Sequence, residues 1–349
     1  VMPEHRYYGF TMFVEGDEWW AQTLGLQGSL YDLEPQEIVQ KVSDYVEQNQ
    51  LHLPGASTGE DYANENNALN QFVTYHLVPA KIEPNKLVIH FNELWYNLTS
   101  MLKTASVYDF HTTIGKRRLL KTYEANKTFD GMRNVIYLNR FPILKNGTSE
   151  SDDYTEMGCE ENKMGVEILV DRMLKSNNAN IYPISDLLVF GNAERNLMAL
   201  ERMRVDYATI IHELSSNNLR LGKYSQFPAG YFENLPLQTT GSDVLYLFCA
   251  YSPRSATGWC NLQGDEMMVL GLYDVTFRIP PVPQANEYEI RLGVSHNNLR
   301  GMCQLYFGED MNRLQPAGLP YDMRQSSSNN VAIPWVQDVE DDAVNMEND

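Results

Sequence analysis

At 349 residues and 40.1 kDa the chain is too long for one ordinary core, and two domains of roughly 150 to 200 residues are expected. Its 27 basic and 46 acidic residues leave a net charge of -19, which opposes an electrostatic grip on a nucleic-acid backbone or an anionic lipid surface. No apolar run approaches the roughly 18 residues needed to cross a bilayer; the longest, such as Val244 to Tyr251, are strand-sized.

Residue 1 is a valine set just before an apparent domain core, so the natural N terminus is expected upstream of it. The first elements read as a strand over Tyr8 to Val14 and a helix carrying Trp19, Trp20 and Leu24, with Asp17 as its N-cap. A second helix starts near Glu34, with Pro35 in its first turn. Its apolar residues Ile38, Val39, Val42, Tyr45 and Val46 follow the 3.6-residue period and predict one buried face. Leu53 to Asn67 reads as a polar loop, and a third helix as running from about Ala68 to His76.

From Lys86 to Leu144 the pattern changes to short β-type segments, Leu87 to Phe91, Ser106 to Thr113 and Asn134 to Leu138, separated by polar turns. This is the pattern of an α+β domain. Gly165 to Asp171 alternates, and Asn180 to Phe190 reads as the strand that closes the first sheet. Apolar residues every three or four positions between Glu194 and Leu214 predict one amphipathic helix, ending at Asn217 or Asn218. Beyond Gly241 the strand-like runs Asp243 to Tyr251, Glu266 to Ile279, Glu287 to Val294 and Met302 to Phe307 predict a β-sandwich. Asp338 to Asp349 is too acidic to support a core. The resulting map is a first domain over 1–192, a helical connector over 193–240, an all-β sandwich over 241–330 and an acidic tail over 331–349.

Chemistry-bearing motifs are sparse. Cys159, Cys249, Cys260 and Cys303 show no C-x-x-C pairing and no histidine at ligand spacing, so neither a zinc site nor another metal or cofactor is expected. Cys249 and Cys260 read equally as a disulfide across a short aromatic loop and as buried thiols. There is no G-x-S-x-G, no S-x-x-K and no phosphate-binding glycine loop. A carboxylate pair of the glycosidase kind stays open among the many acidic residues. The acidic runs Glu150 to Asp153 and Glu340 to Asp342 lack the calcium-loop spacing and read as solvated surface. Tyr75 and His76, at a helix end before Pro79, read as structural rather than catalytic, because no partner for the imidazole stands near it in sequence.

Aromatic residues are the more informative signal. Tyr251, Trp259 and Tyr273 are candidate ligand-stacking residues, and Arg254 lies in the same loop, Tyr251 to Trp259, rich in small polar residues. The alternative for Trp259 is a plug in the sandwich core.

Phe10-Thr11-Met12-Phe13-Val14-Glu15-Gly16-Asp17-Glu18-Trp19-Trp20 and Phe72-Val73-Thr74-Tyr75-His76-Leu77-Val78-Pro79-Ala80-Lys81-Ile82 occur in that order, followed by Asn180-Ile181-Tyr182-Pro183-Ile184-Ser185-Asp186-Leu187-Leu188. Together they resemble the strand-to-helix box, the Tyr-His box and the closing strand of the fasciclin-like adhesion domain family, over roughly residues 7 to 190. Val14-Glu15 replaces the Ala-Pro of the family's first box, and the family's adhesion peptides are not recognisable.

The resemblance implies an α+β fasciclin-like domain in which Thr11, Phe13, Tyr75, His76 and Pro79 are motif residues and the Tyr-His pair pins the helix to the sheet. The second half, with Phe277-Arg278-Ile279-Pro280-Pro281 and Arg300 to Tyr306, is similar to the jelly-roll-like sandwich modules that follow such domains in surface lipoproteins of Bacteroidetes. That likeness implies an extracytoplasmic setting at the cell surface, outer membrane or periplasm. Membrane association would then come only through an N-terminal lipid anchor outside this sequence. The expectation is a non-catalytic cell-adhesion or carbohydrate-binding protein whose partner is a glycan or a cell-surface protein, not nucleic acid. A glycan-processing hydrolase with an unrecognised carboxylate site and a structural subunit of a surface assembly are the alternatives.

Overall fold

A computed structural model of the chain describes residues 8–88, 107–125, 135–144, 154–156, 165–199, 203, 205, 207–217, 225–228, 231–232, 237–239, 244–249, 265–290 and 298–325. They form a mixed α/β structure with several β-sheets and few helices. The chain divides into two compact units, Val1–Ala285 and Asn286–Asp349. Residues 241 to 285, grouped with the later strands in the sequence, belong to the first unit.

The first unit opens with β1 (Phe10–Glu15), α1 (Asp17–Thr23), α2 (Pro35–Gln48), α3 (Ala68–Tyr75) and β2 (Leu77–Val78). Asp17 is not the cap of α1. Gly16 takes the extended N-cap conformation, and the Asp17 carboxylate instead accepts a hydrogen bond from the Tyr31 hydroxyl at 2.8 Å. In α2, Pro35 stands at the first helical position, where its missing N–H costs nothing. Ser43 and Val46 are buried while Val39 is exposed, so the buried face of α2 is narrower than its apolar stripe. Val46 packs with Ala68, Leu69 and Phe72 of α3, and Trp20 of α1 joins this layer.

The chain continues through β3 (Val107–Thr112), β4 (Leu119–Ala125), β5 (Val135–Leu138), β6 (Pro142–Leu144), β7 (Tyr154–Glu156), β8 (Val166–Glu167), β9 (Leu174–Lys175) and β10 (Ala179–Ile184). One sheet runs in the order β2-β1-β10-β9, another in the order β3-β4-β5-β8, and β6 pairs with β7. β1 and β10 lie side by side in parallel, from Phe10 opposite Ala179 to Glu15 opposite Ile184. The β3-β4-β5-β8 sheet is antiparallel throughout. A single core joins the two, with Phe13, Tyr75, Ile82, Phe110, Leu138 and Tyr182 among its buried members. Each such side chain contributes about 1.5 to 3 kcal/mol by leaving water.

Several sequence expectations change. β4 has no counterpart among the expected strands, because Lys121 interrupts its apolar pattern and yet is buried. The expected strand over Gly165 to Asp171 shrinks to β8, and a single turn of 3-10 helix follows at Val170–Arg172. The closing strand ends at Ile184 rather than Phe190, since Leu188 and Phe190 leave the ladder to fill the core. Leu87 and Val88 are buried but not in a strand, and Ile89 to Phe91 lie outside the described residues.

The single helix expected between Glu194 and Leu214 is instead α4 (Asn192–Met198), α5 (Tyr207–Ile210) and α6 (His212–Ser216). Leu197 and Met198 belong to the core of the two sheets. Tyr207, Ile210, Ile211 and Leu214 pack with Phe227 and Phe232 in a separate cluster. One straight helix cannot turn its apolar stripe into both. The break between α5 and α6 falls at β-branched Ile211, whose backbone is extended at φ -104 and ψ 91.

The rest of the first unit holds β11 (Ser225–Pro228), β12 (Leu237–Thr239), β13 (Val244–Cys249), β14 (Asp265–Val269) and β15 (Tyr273–Val275). They form an antiparallel β11-β13-β14 sheet and a β12-β15 pair. In the second unit, β16 (Met302–Cys303) pairs with β19 (Tyr321–Asp322), and β17 (Tyr306–Phe307) with β18 (Gln315–Pro316). Glu287 to Ile290 carry no strand, and residues 291–297 and the acidic tail lie outside the described residues.

Candidate functional site

The best-defined constellation lies where α3 hands over to β2. Asn67 caps α3, its side-chain oxygen accepting the Asn70 N–H at 3.1 Å, and buried Ala68, Leu69, Phe72 and Tyr75 hold its inner face. His76 is the C-cap residue, so its ring emerges at the helix end against β1. The backbone N–H of Phe13 donates to the carbonyl of His76 at 3.0 Å.

Both ring nitrogens of His76 face oxygen. Nδ1 is 2.9 Å from the Phe72 carbonyl, and Nε2 is 2.9 Å from Glu15 Oε1. A carbonyl can only accept, so Nδ1 carries a hydrogen, and the contact with Glu15 is satisfied only when another proton lies between Nε2 and Oε1. The backbone N–H of Leu188 donates to the same Oε1 at 3.1 Å. Burial raises the Glu15 carboxyl, but the hydrogen bond and charge of His76 with the Leu188 N–H outweigh it, leaving the group below the usual carboxylate range. Glu15 stands at the end of β1, and sequence reading missed its role, because its partners His76 and Leu188 are far away along the chain.

The other motif residues gather around this junction. Thr11 Oγ1 donates to the Ala80 carbonyl at 2.7 Å and accepts from the Ile82 N–H at 2.9 Å, fastening the chain beyond half-buried Pro79 onto β1. Phe13 stacks on Tyr182 of β10, with ring centroids 5.9 Å apart. The Tyr182 hydroxyl and the Asn180 side-chain amide both donate to the Ile82 carbonyl, at 2.9 and 2.8 Å.

Tyr75 points its hydroxyl into the second sheet. It donates to the Leu119 carbonyl at 3.0 Å and accepts from the Asn139 amide at 2.9 Å. Burial pushes its phenol well above the ordinary range. The Arg118 guanidinium lies 4.9 Å over the Tyr75 ring and 5.7 Å from the Phe190 ring, and hydrogen-bonds the Gln71 carbonyl. Burial pulls Arg118 down to about 10, against the opposing effect of Tyr75. Asn139 sits in the left-handed region at φ 50, which asparagine tolerates better than most residues. None of Arg118, Asn139 and Glu15 is marked by a spacing pattern.

The structure thus brings Thr11, Phe13, Tyr75 and His76 together with Pro79 beside them. Of the ligand-stacking candidates, Tyr251, Arg254 and Trp259 lie outside the described residues. Tyr273 is described, 39% exposed in β15 opposite Thr239. The thiols of Cys249 and Cys260 are likewise outside the description, and Cys303 is a free cysteine. Among the described residues no group of three or more His, Cys, Asp and Glu side chains is placed to hold a metal ion, and no helix is long and apolar enough to cross a membrane. No protein-family model, curated protein or solved structure matches the chain.

Proposed function

We propose that the chain is a non-catalytic, extracytoplasmic adhesion or glycan-binding protein, with a fasciclin-like domain over roughly residues 7 to 190 and a jelly-roll-like sandwich module after it. The observation supporting this reading is the meeting of the three family-like segments. β1 and β10 are neighbours in one sheet, and the Tyr75-His76 step is fastened to the end of β1 through Glu15, which also accepts the Leu188 N–H from the segment after β10. A motif pair buried this deeply acts as a tie, which agrees with a rigid, non-catalytic role. Antiparallel pairing of β13 and β14 supports the sandwich reading of the later strands, and exposed Tyr273 supports placing a glycan contact there.

A second reading, a structural subunit of a surface assembly, is favoured by the Asn286–Asp349 unit. Leu299 is 96% exposed, and Met302, Tyr306, Phe307, Met311 and Leu319 are also open to solvent. Glycan-array screening of the purified chain, read beside its co-purifying proteins from membrane extracts, separates the two. Saturable binding to defined glycans supports the first. Array silence together with stable association with a membrane protein replaces it with the second.

A further inference from the structure

The segment between α1 and α2 carries Tyr31, which is 83% exposed although it is held at both ends. Its backbone lies in a single turn of 3-10 helix, Leu30–Asp32. The Ser29 hydroxyl accepts the Tyr31 N–H at 3.2 Å, and the Asp32 carboxylate accepts the Ser29 N–H at 2.8 Å, which closes the turn from both sides. Leu30 is buried and anchors it. At the far end of the side chain, the Tyr31 hydroxyl donates to Asp17 Oδ2 of α1 at 2.8 Å.

A singly exposed tyrosine is ordinary on a protein surface and swings among its side-chain rotamers. Tyr31 differs, because its turn and its hydroxyl are both fixed while no other aromatic ring touches it among the described residues. Trp19 of α1 is pinned in the same manner, its Nε1–H donating to Asp186 Oδ1 at 3.1 Å, but its ring is half-buried beside Trp20 at 5.0 Å. Tyr31 keeps its faces open. The hydrogen bond and charge of Asp17 raise the Tyr31 phenol above its ordinary value, so the hydroxyl stays protonated and keeps donating. Asp17 is itself exposed, and among the described residues its Oδ1 has no hydrogen-bond partner.

A ring already held in place loses little freedom when a ligand covers it. Its face offers an apolar plane, and Asp17 Oδ1 can accept from a hydroxyl beside it. A pyranose presents both matching features, C–H bonds on one face and hydroxyl donors around its edge. Exposed Glu18 and Asp32 adjoin Asp17 and Tyr31 in the chain, and their charge opposes a carboxylated or sulfated sugar. A cation would gain little from an exposed carboxylate, since water and salt screen the pair. We propose that Tyr31, held in position by Asp17, is a stacking platform for a neutral sugar ring. This rests on the glycan-binding reading and adds a contact to the one at Tyr273.

The test is calorimetric titration of the full chain with cellopentaose, mannopentaose and chitopentaose, and in parallel with pentagalacturonate and octa-arginine, at fixed ionic strength. Each probe is taken to roughly 5 mM, enough to saturate a site of about 0.5 mM or tighter. The expected result is saturable binding of at least one neutral pentasaccharide, weakened about tenfold or more in Tyr31→Ala. Tyr31→Phe, which keeps the ring but frees it from Asp17, should weaken it less. Equal binding to wild type and Tyr31→Ala, with loss in Tyr273→Ala, overturns the platform and leaves the glycan-binding reading standing. Silence of all three neutral sugars, or preferred binding of pentagalacturonate, also overturns it, and the wider glycan array then decides that reading separately. Octa-arginine binding that Tyr31→Ala abolishes, with the neutral sugars silent, replaces the sugar by a basic partner protein. Tyr31 is exposed, so both variants should melt with the wild type, and their melting curves verify that only binding has changed.

Discussion

His76 Nε2 and Glu15 Oε1 face each other at 2.9 Å, across 61 positions of sequence, in a place where both side chains are almost wholly buried. Removing one partner of such a pair leaves the other buried and unsatisfied, a loss of about 3 to 5 kcal/mol. His76→Ala and Glu15→Ala are each expected to lower the melting temperature strongly. The double variant should cost less than the sum, with a coupling of about 1 to 3 kcal/mol. Additive losses in a denaturant-melt cycle would show that the two side chains act separately.

Acid should destabilise the first unit in two steps. His212 is pushed from its ordinary 6.5 down to about 4, by burial first and Arg117 second. It therefore favours the folded state fully above pH 6.5, and that stability is lost as pH falls toward 4. The loss amounts to about 3 kcal/mol at most. Glu15 lies below its ordinary 4.5, so its contribution is present above that pH and disappears as pH falls further. Urea melts between pH 7 and 4 should show the first step in wild type and a smaller one in His212→Gln.

Arg117 is expected to act on His212 through its charge. In Arg117→Gln the imidazole should titrate above its wild-type value of about 4, because a nearby cation that opposed protonation has gone. The rise is only partial, since burial is the larger cause. Histidine-resolved NMR titration of the two proteins measures it, and an unchanged His212 curve would place Arg117 too far away to matter.

Asn139 joins Tyr75, the Lys121 N–H and the Val189 carbonyl through one side chain, at a φ of 50. Asn139→Gly keeps the backbone comfortable and loses the bonds, while Asn139→Ala loses both. We expect destabilisation of about 2 kcal/mol for glycine and about 1 kcal/mol more for alanine. Equal melting temperatures for the two variants would remove the backbone part of this account.

Thr11→Val keeps the shape of the side chain and deletes the hydroxyl that serves the Ala80 carbonyl and the Ile82 N–H. With two buried backbone groups left unserved, a loss of about 2 to 4 kcal/mol is expected. Thr11→Ser, which retains the oxygen, should cost less than half as much in the same thermal melt.

How much could be read from the sequence differs by element. α2 and α3 were legible because Pro35, Asn67 and the 3.6-residue spacing are local signals. β4 was hidden by Lys121, and the break at Ile211 by a periodicity that runs unbroken through two different cores. The Tyr75-His76 step was visible as a structural feature, whereas Glu15, Arg118 and Asn139 were not. Their roles depend on partners 18 to 173 positions away.

By itself, then, the sequence determined the mixed α and β character, the acidic balance and the positions of α1, α2 and α3, since these follow from composition and short-range periodicity. Only the tertiary structure decided that β1 pairs in parallel with β10 and that Glu15 meets His76. Hydrogen bonds and like charges act over a few ångströms of space, and no spacing rule along the chain says which distant residues will share that space.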